Sequence, residues 1–216
     1  GQPYHEELRL DTAISLIDSY FSKCTIALGD TLQRHNMLQS GNPDFDSYQA
    51  AKQSGDEWLS RNIEKIKRLS IPYDIKRWDE WLSQDTYLAQ LALVKAAYQN
   101  DAQFRVGFEK TVAIFTERLK KRGDSSDILT AEKNSRAFLF EECTIIMLMW
   151  QKEQFQYIAY PGDMIDALQV THEKFVKPYH DNLLEWMPIK FKRYSLDYLR
   201  SPECQGVFPS KQFYND

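Results

Sequence analysis

Cysteine is scarce in this chain: Cys24, Cys143 and Cys204 are the only three among 216 residues. An odd, scattered set with no C-x-x-C pair argues against a disulfide framework and against a cysteine-based zinc site. A reducing, cytoplasmic setting is the natural expectation. Long apolar runs are missing too. The longest, Cys143 to Trp150, is far too short to span a bilayer, so no membrane partner is expected. The start, Gly1-Gln-Pro-Tyr-His-Glu-Glu, lacks the apolar core of a secretion signal. Neither G-x-G-x-x-G nor a Walker pattern occurs, and there is no G-x-S-x-G elbow. Binding of ATP or a dinucleotide is therefore not expected, and no cofactor is. The four histidines, His5, His35, His172 and His180, show no metal-ligand spacing, so no metal is expected. The net charge of -4 gives no bulk attraction for nucleic acid; any such contact needs a local basic patch.

What is present is a globular balance of 43% apolar and 27% charged residues, enough for one sizeable core. Leu8, Ala13, Ile14, Ile17 and Phe21 recur at helical spacing and predict an amphipathic helix over residues 6–23. Cys24-Thr-Ile-Ala-Leu28 follows, short and apolar, and ends at Gly29-Asp30, which suits a buried parallel strand. Asp30 is a candidate cap for a helix over residues 31–38. A long helix is expected over residues 46–69, with Gly55 as a candidate interruption and Pro72 beyond its end. Residues 73–78 read as a second strand, 86–99 and 102–122 as two helices, and 131–149 as a buried helix. Residues 155–160 alternate and read as a third strand, followed by a helix over 163–176. The aromatic-rich tail after Pro178 carries no clear period. Strands alternating with helices predict a single α/β domain over residues 1–216, built on a parallel, doubly wound sheet. Ligands in such folds sit at the carboxyl ends of the strands, here Gly29-Asp30 and Tyr160-Pro161.

Two clusters carry chemistry. The pair Glu141-Glu142 lies inside Phe138-Leu-Phe-Glu-Glu-Cys-Thr-Ile-Ile-Met-Leu-Met-Trp150, otherwise almost wholly apolar. Adjacent residues on a helix point about 100° apart, so at most one of the two easily faces solvent and the other is drawn inward. A carboxylate facing a cavity is costly unless it binds a cation or handles a proton. A helix edge with both groups paired to Lys or Arg is the structural alternative. Arg61, Lys65 and Arg68 fall at i, i+4 and i+7, one helical stripe beside Leu59, Ile63 and Ile66. Such a stripe is either a solvated charged face or a row of charges that tracks an RNA backbone. Lys120-Lys-Arg122 ends another helix, where compensation of the helix dipole explains it equally well.

Taken in order, these segments resemble the tRNA-dependent cyclodipeptide synthases. Phe138 to Glu142 resembles the family's Tyr-x-x-x-Glu motif, with Phe138 in place of the tyrosine. Tyr160-Pro161 resembles the paired motif at the end of a late strand and places the chain with the Tyr-Pro branch. Gly1-Gln2-Pro-Tyr-His-Glu resembles the continuation of the nucleophile loop, and Arg61, Lys65 and Arg68 lie where the family carries a basic, tRNA-docking helix. The resemblance implies a Rossmann-like fold similar to the catalytic domains of class I tyrosyl- and tryptophanyl-tRNA synthetases. It also accounts for the missing ATP motif, because an aminoacyl ester on tRNA arrives already activated. It implies ping-pong catalysis through an acyl-serine enzyme, with aminoacyl-tRNAs as partners and a monomeric protein. Glu142 would hold the α-ammonium of the bound aminoacyl group, and Tyr160 would position the acyl group. Gly1, Gln2, Phe138, Pro161, Ala27, Gly29 and Ile145 are expected near the substrate, the last three by a side-chain pocket. The nucleophilic serine, with the strand that feeds it, is expected just upstream of Gly1. A non-catalytic aminoacyl-tRNA-binding module and a helical interaction protein are the alternatives.

Overall fold

The structure, a computed structural model, describes residues 6–37, 46–121, 128–179 and 184–191, with only the backbone of Leu119. Its frame is two short parallel ladders. In the first, β1 (Cys24–Leu28) pairs with β2 (Tyr73–Arg77), Cys24 opposite Tyr73 and Leu28 opposite Arg77. In the second, β3 (Tyr157–Tyr160) pairs with β4 (Glu185–Pro188), Tyr157 opposite Glu185. Parallel strands need a crossover. Helix α2 (Ser47–Ile66) supplies it between β1 and β2, and α8 (Asp166–Phe175) between β3 and β4. Helix α1 (Glu7–Tyr20) leads into β1. Between the ladders run α3 (Trp78–Leu82), α4 (Tyr87–Asn100), α5 (Ala102–Lys121), α6 (Ile128–Cys143) and the short α7 (Trp150–Lys152). This is the expected Rossmann-like α/β arrangement, mostly helical, with its strands short and parallel.

The main core lies among α4, α5, α6 and α8, where Val94, Phe108, Leu139, Ile145, Met147 and Val176 are completely enclosed. Rings carry much of it: Phe108 stacks at a tilt on Phe140, 4.8 Å between centroids, and Tyr98 meets both edge-on. A smaller cluster of Ile14, Ile66 and Leu69 holds α1 and α2 beside the first ladder, with Leu10, Ile17, Leu59 and Ile75 packed around it.

The structure departs from the sequence expectations in four places. The residues after β1 form a 3-10 turn over Thr31–Asn36, and Asp30 does not cap it; its side chain turns instead to Arg77, which donates to Oδ2. Gly55 does not interrupt α2, which is continuous; Asp46 starts it, accepting from the backbone of Tyr48 at 3.0 Å and Gln49 at 3.1 Å. The expected buried helix over 131–149 changes character: α6 ends at Cys143, and Thr144–Met149 is a π-helix in which every residue is buried. The unassigned tail supplies β4, too short and too mixed to show a period.

Gly55 has a specific steric reason. A Cβ built there would lie 2.5 Å from Asp30 Cβ, so α2 passes the end of β1 with no room for a side chain. Alanine normally stabilises a helix interior by up to about 1 kcal/mol over glycine. Gly55→Ala should nevertheless destabilise the protein by about 1–3 kcal/mol through overpacking. Urea denaturation of the two proteins checks this, and a more stable variant would refute the close approach.

Candidate active site

Charged and aromatic side chains converge where β1 and β2 end. Gly29 carries the chain past Trp78, the first residue of α3. The 3-10 turn then presents Arg34 and His35, while α4 begins with Tyr87. All of them face Glu141 near the end of α6. Arg34 Nη1 donates to Oε1 at 2.8 Å and Nη2 to Oε2 at 2.5 Å, a two-pronged ion pair. Trp78 Nε1 donates to Oε1 at 2.9 Å, His35 Nε2 lies 3.4 Å from Oε2, and the Tyr87 phenol lies within the field of this carboxylate. Burial works to raise the Glu141 carboxyl. The hydrogen bonds of His35 and Arg34, with the Arg34 charge, outweigh it, so the group sits below its ordinary pKa. The Tyr87 phenol is pushed up, first by burial and then by the Glu141 charge.

A second layer braces this one. Arg77, the last residue of β2, donates through Nε to Asp30 Oδ2 at 2.8 Å and through Nη1 to Asp56 Oδ1 at 2.5 Å. Asp79 accepts from Thr31 Oγ1 at 2.6 Å and from the Tyr48 hydroxyl at 2.5 Å. The strand ends, the 3-10 turn, α2 and α3 are thereby tied into one polar cluster.

Glu142 meets the opposite environment. The residue as a whole is half-buried, but its Oε2 is sealed from solvent and has no hydrogen-bond partner among the described residues. Burial alone lifts its carboxyl from the ordinary 4.5 to about 8. The neighbouring Cys143 thiol is raised by its own burial and then by the Glu142 charge. The chain therefore holds two adjacent carboxylates in contrasting states, one saturated with donors and one with a buried acceptor oxygen unused. Contrasting environments of this kind separate structural from reactive acids.

Tyr160 closes β3 at the carboxyl end of the other ladder. Its ring packs on Trp186 of β4, 5.3 Å between centroids, and it keeps 37% of its surface exposed. Its carbonyl accepts from Ile189 N at 2.8 Å and Gly162 N at 2.9 Å. Gly162, just after the half-buried Pro161, takes φ +155°, a conformation that side chains disfavour.

The other expected site residues separate. Gly29 is half-buried beside the cluster, and Ala27 is exposed on β1. Phe138 is in the core, its ring 6.1 Å from that of Phe115, and Ile145 is completely enclosed, so Ile145 lines no open pocket. Gly1 and Gln2 lie outside the described residues. Arg61 and Lys65 share one face of α2 and Arg68 follows just past its end; the three are set against Glu6 and Asp11 at the start of α1. Sequence reasoning passed over Glu141, Arg34, Trp78 and Tyr87. The available signal was the acidic pair itself, since an apolar helix that draws in one carboxylate can draw in both. A cavity of about 620 Å³ between α4, α5 and the end of α8, with Phe175 and Lys174 in its wall, shares no residue with this site. Among the described residues no group of His, Cys, Asp and Glu is arranged to hold a metal ion, and no helix is long and apolar enough to cross a membrane.

No protein-family model and no curated protein sequence matches the chain. Solved structures do. A cyclodipeptide synthase from Streptomyces noursei superposes with a TM-score of 0.57 over 89% of this chain and 91% of that one, at 14% identity. The cyclodipeptide synthase from Candidatus Glomeribacter gigasporarum, solved bound to Phe-tRNAPhe, reaches a TM-score of 0.69 at 18% identity, covering 94% of this chain and 89% of that one. These two share the fold. A cyclodipeptide synthase from Fluoribacter dumoffii goes further, with 31% identity and a TM-score of 0.84 over 90% of this chain and 87% of that one. Likeness in sequence as well as in fold, over nearly the whole length of both proteins, shows that the chain belongs to the cyclodipeptide synthase family.

Proposed function

We propose that this protein takes aminoacyl groups from two charged tRNAs and joins them into a cyclic dipeptide, and that Glu142 is the residue that handles the amine. The observation that carries the assignment is the buried, unpartnered Oε2 of Glu142, next in sequence to a carboxylate that is fully engaged at the strand ends. An α-ammonium is the donor such an oxygen lacks. Its arrival would favour the ionised carboxylate, which burial alone disfavours. The reverse transfer, from the ammonium to the carboxylate, would leave the neutral amine needed for attack on an ester carbonyl.

On the family resemblance the nucleophile would be a serine at the end of a strand. The sheet topology supports a place for that strand. Among the described residues β1 pairs only with β2, and β3 only with β4. The ring of Phe21, just before β1, meets that of Tyr157, the first residue of β3, at 5.7 Å. A parallel strand between β1 and β3 would join the ladders and deliver its last residue to the end occupied by Gly29 and Tyr160. The serine oxygen would attack the first aminoacyl ester and release the tRNA. The amine of that aminoacyl-enzyme would then attack the second aminoacyl ester, forming the peptide bond and releasing the second tRNA, and the free amine of the resulting dipeptidyl-enzyme would attack the serine ester, close the ring and free the serine. Tyr160, part-exposed at this end, would position the acyl group. Tyr160-Pro161 would place the chain in the Tyr-Pro branch, and Arg61, Lys65 and Arg68 would contact the tRNA backbone. The protein would act as a monomer in the cytoplasm, without metal or cofactor.

Glu142→Gln in the full-length polypeptide should abolish cyclic dipeptide formation while leaving the fold intact, as read by mass spectrometry of products from charged tRNA. Wild-type turnover in that variant would remove Glu142 from the mechanism. The same substitution has a signature in stability. Folded Glu142 keeps its proton up to about pH 8, whereas the unfolded chain releases it near 4.5, so the unfolded state binds fewer protons across that window and stability falls as pH rises. The glutamine side chain cannot ionise, so this fall should disappear in the variant. At pH 9 the variant should be the more stable by on the order of 2–4 kcal/mol. Urea midpoints measured from pH 5 to pH 9 test it, and parallel profiles for the two proteins would contradict it. Replacing Arg61, Lys65 and Arg68 together with alanine should weaken tRNA binding and flatten its salt dependence by up to about three phosphate contacts. Unchanged binding across salt concentrations would leave the stripe a solvated face.

A further inference from the structure

The basic stripe of α2 already has anionic partners. Arg61 Nη2 donates to Glu6 Oε1 at 3.2 Å, Lys65 Nζ to Asp11 Oδ2 at 3.3 Å, and Arg68 Nη2 to Asp11 Oδ1. Beneath them the buried Asn62 donates its side-chain amide to Glu6 Oε2 at 3.1 Å. The order is the same on both helices: residue 6 meets 61, residue 11 meets 65 and 68, and Asp18 accepts from the backbone of Ser70 and Ile71. Helices α1 and α2 therefore lie side by side and run in the same direction, as two helices must when each leads into one of two neighbouring parallel strands.

The attachment of α1 does not depend on these ion pairs. Ile14, Ile66 and Leu69 are buried between the helices, with Leu10, Ile17 and Leu59 around them, and Asp18 pins the far end. The pairs themselves are half-open to water: Arg61 keeps 54% and Arg68 56% of its side chain exposed. Pairs this exposed contribute about 1 kcal/mol or less to stability. What the two carboxylates do offer is charge and acceptor geometry. They present anionic oxygens to the same three cations that phosphate oxygens of a tRNA would use.

We propose that Glu6 and Asp11 are built-in counter-charges, which the phosphates of an incoming tRNA must displace, so that α1 sets the affinity of the basic face. The inference rests on the reading of Arg61, Lys65 and Arg68 as tRNA-contacting residues. It suits a reaction in which one enzyme must admit and release two tRNAs in each cycle. Three bare cations would hold the spent tRNA, whereas carboxylates waiting beside them exchange with it. Part of the counter-ion release that drives RNA binding is thereby replaced by the breaking of internal pairs, and the salt dependence becomes shallower than three cations alone would give.

The test is Asp11→Asn, which frees Lys65 and Arg68 and leaves Glu6 on Arg61. Asp85→Asn, an exposed acid between α3 and α4, controls for the change in net charge. Binding of uncharged tRNA to the full-length protein is measured by fluorescence anisotropy over a range of salt, with circular dichroism to check the fold. Asp11→Asn should bind about three- to tenfold tighter at low salt. The slope of log affinity against log salt should steepen by about one to two. Asp85→Asn should change neither by more than a factor of about two. Binding of Asp11→Asn equal to that of Asp85→Asn, or weaker with the fold intact, overturns the proposal. If Asp11→Asn does not fold, Glu6→Gln at the start of α1 frees Arg61 alone and should show the same effect at a smaller size; no gain there overturns it as well. The triple alanine variant separates the two readings. If it binds like wild type, the basic stripe is not the tRNA face at all; if it binds weakly while Asp11→Asn is unchanged, only the counter-charge idea fails.

Discussion

The carboxylate of Glu141 is the fastening on which the strand-end geometry depends. A buried carboxylate is costly unless donors surround it. Here they come from separate segments, Arg34 and His35 of the 3-10 turn and Trp78 of α3, with Tyr87 of α4 beside them. Each segment also has apolar anchors of its own, Leu32, Trp81 and Val94 among them, and the two oxygens of Glu141 tie these separately packed pieces together at one point. Loss of one member of such a pair strands its partner, typically at about 3–5 kcal/mol. Because Glu141 cannot turn without breaking this set, the angle at which α6 presents its next residue is set as well. The direction of Glu142 follows from its neighbour, while its own buried Oε2 has no hydrogen-bond partner among the described residues.

The two halves of the molecule are held by different means. Around α4, α5, α6 and α8 the core is deep and ring-rich, with Phe108, Leu139, Ile145 and Met147 fully enclosed. Around α1, α2 and the first ladder the apolar cluster is small, built on buried Ile14, Ile66 and Leu69, and polar ties do more of the work: Arg77 to Asp30 and Asp56, and Asp79 to Thr31 and Tyr48. Polar ties are directional. They define where α2 sits along β1 more sharply than a small apolar cluster does, which is why a glycine is required where α2 crosses Asp30.

Much of this was legible in the sequence because the signals are local. Short apolar runs ending in glycine or proline marked β1 and β3, and helical periodicity marked α1, α2, α4 and α5. The anomaly of two acids in an apolar helix marked the site. What escaped was non-local. Nothing near Asp30 announces that Arg77, 47 residues on, will claim its side chain in place of the helix it precedes. Glu141 escaped because a single inward carboxylate already accounts for the pattern of an apolar helix; its partners lie 54 to 107 residues away, beyond any window of periodicity. Ile145 was placed near a pocket by counting one α-helical turn from Glu142, and the backbone there does not keep α-helical phase. Strand β4 was too short to outvote its own turn-like surroundings.

That loss of phase has a consequence for comparison with relatives. A π-helical turn is geometrically an α-helix that has taken in an extra residue. Thr144–Met149 therefore contains, inside a helix and wholly in the core, the kind of length change usually assigned to a loop. A relative whose helix is regular at this point would match Glu142 on one side and Tyr160 on the other with registers that differ by a residue. An alignment that allows gaps only between secondary-structure elements would place one of the two motifs correctly and shift the other. In this chain the distance in sequence between Glu142 and Tyr160 is thus set by helix winding, and family positions are best transferred across it by superposition.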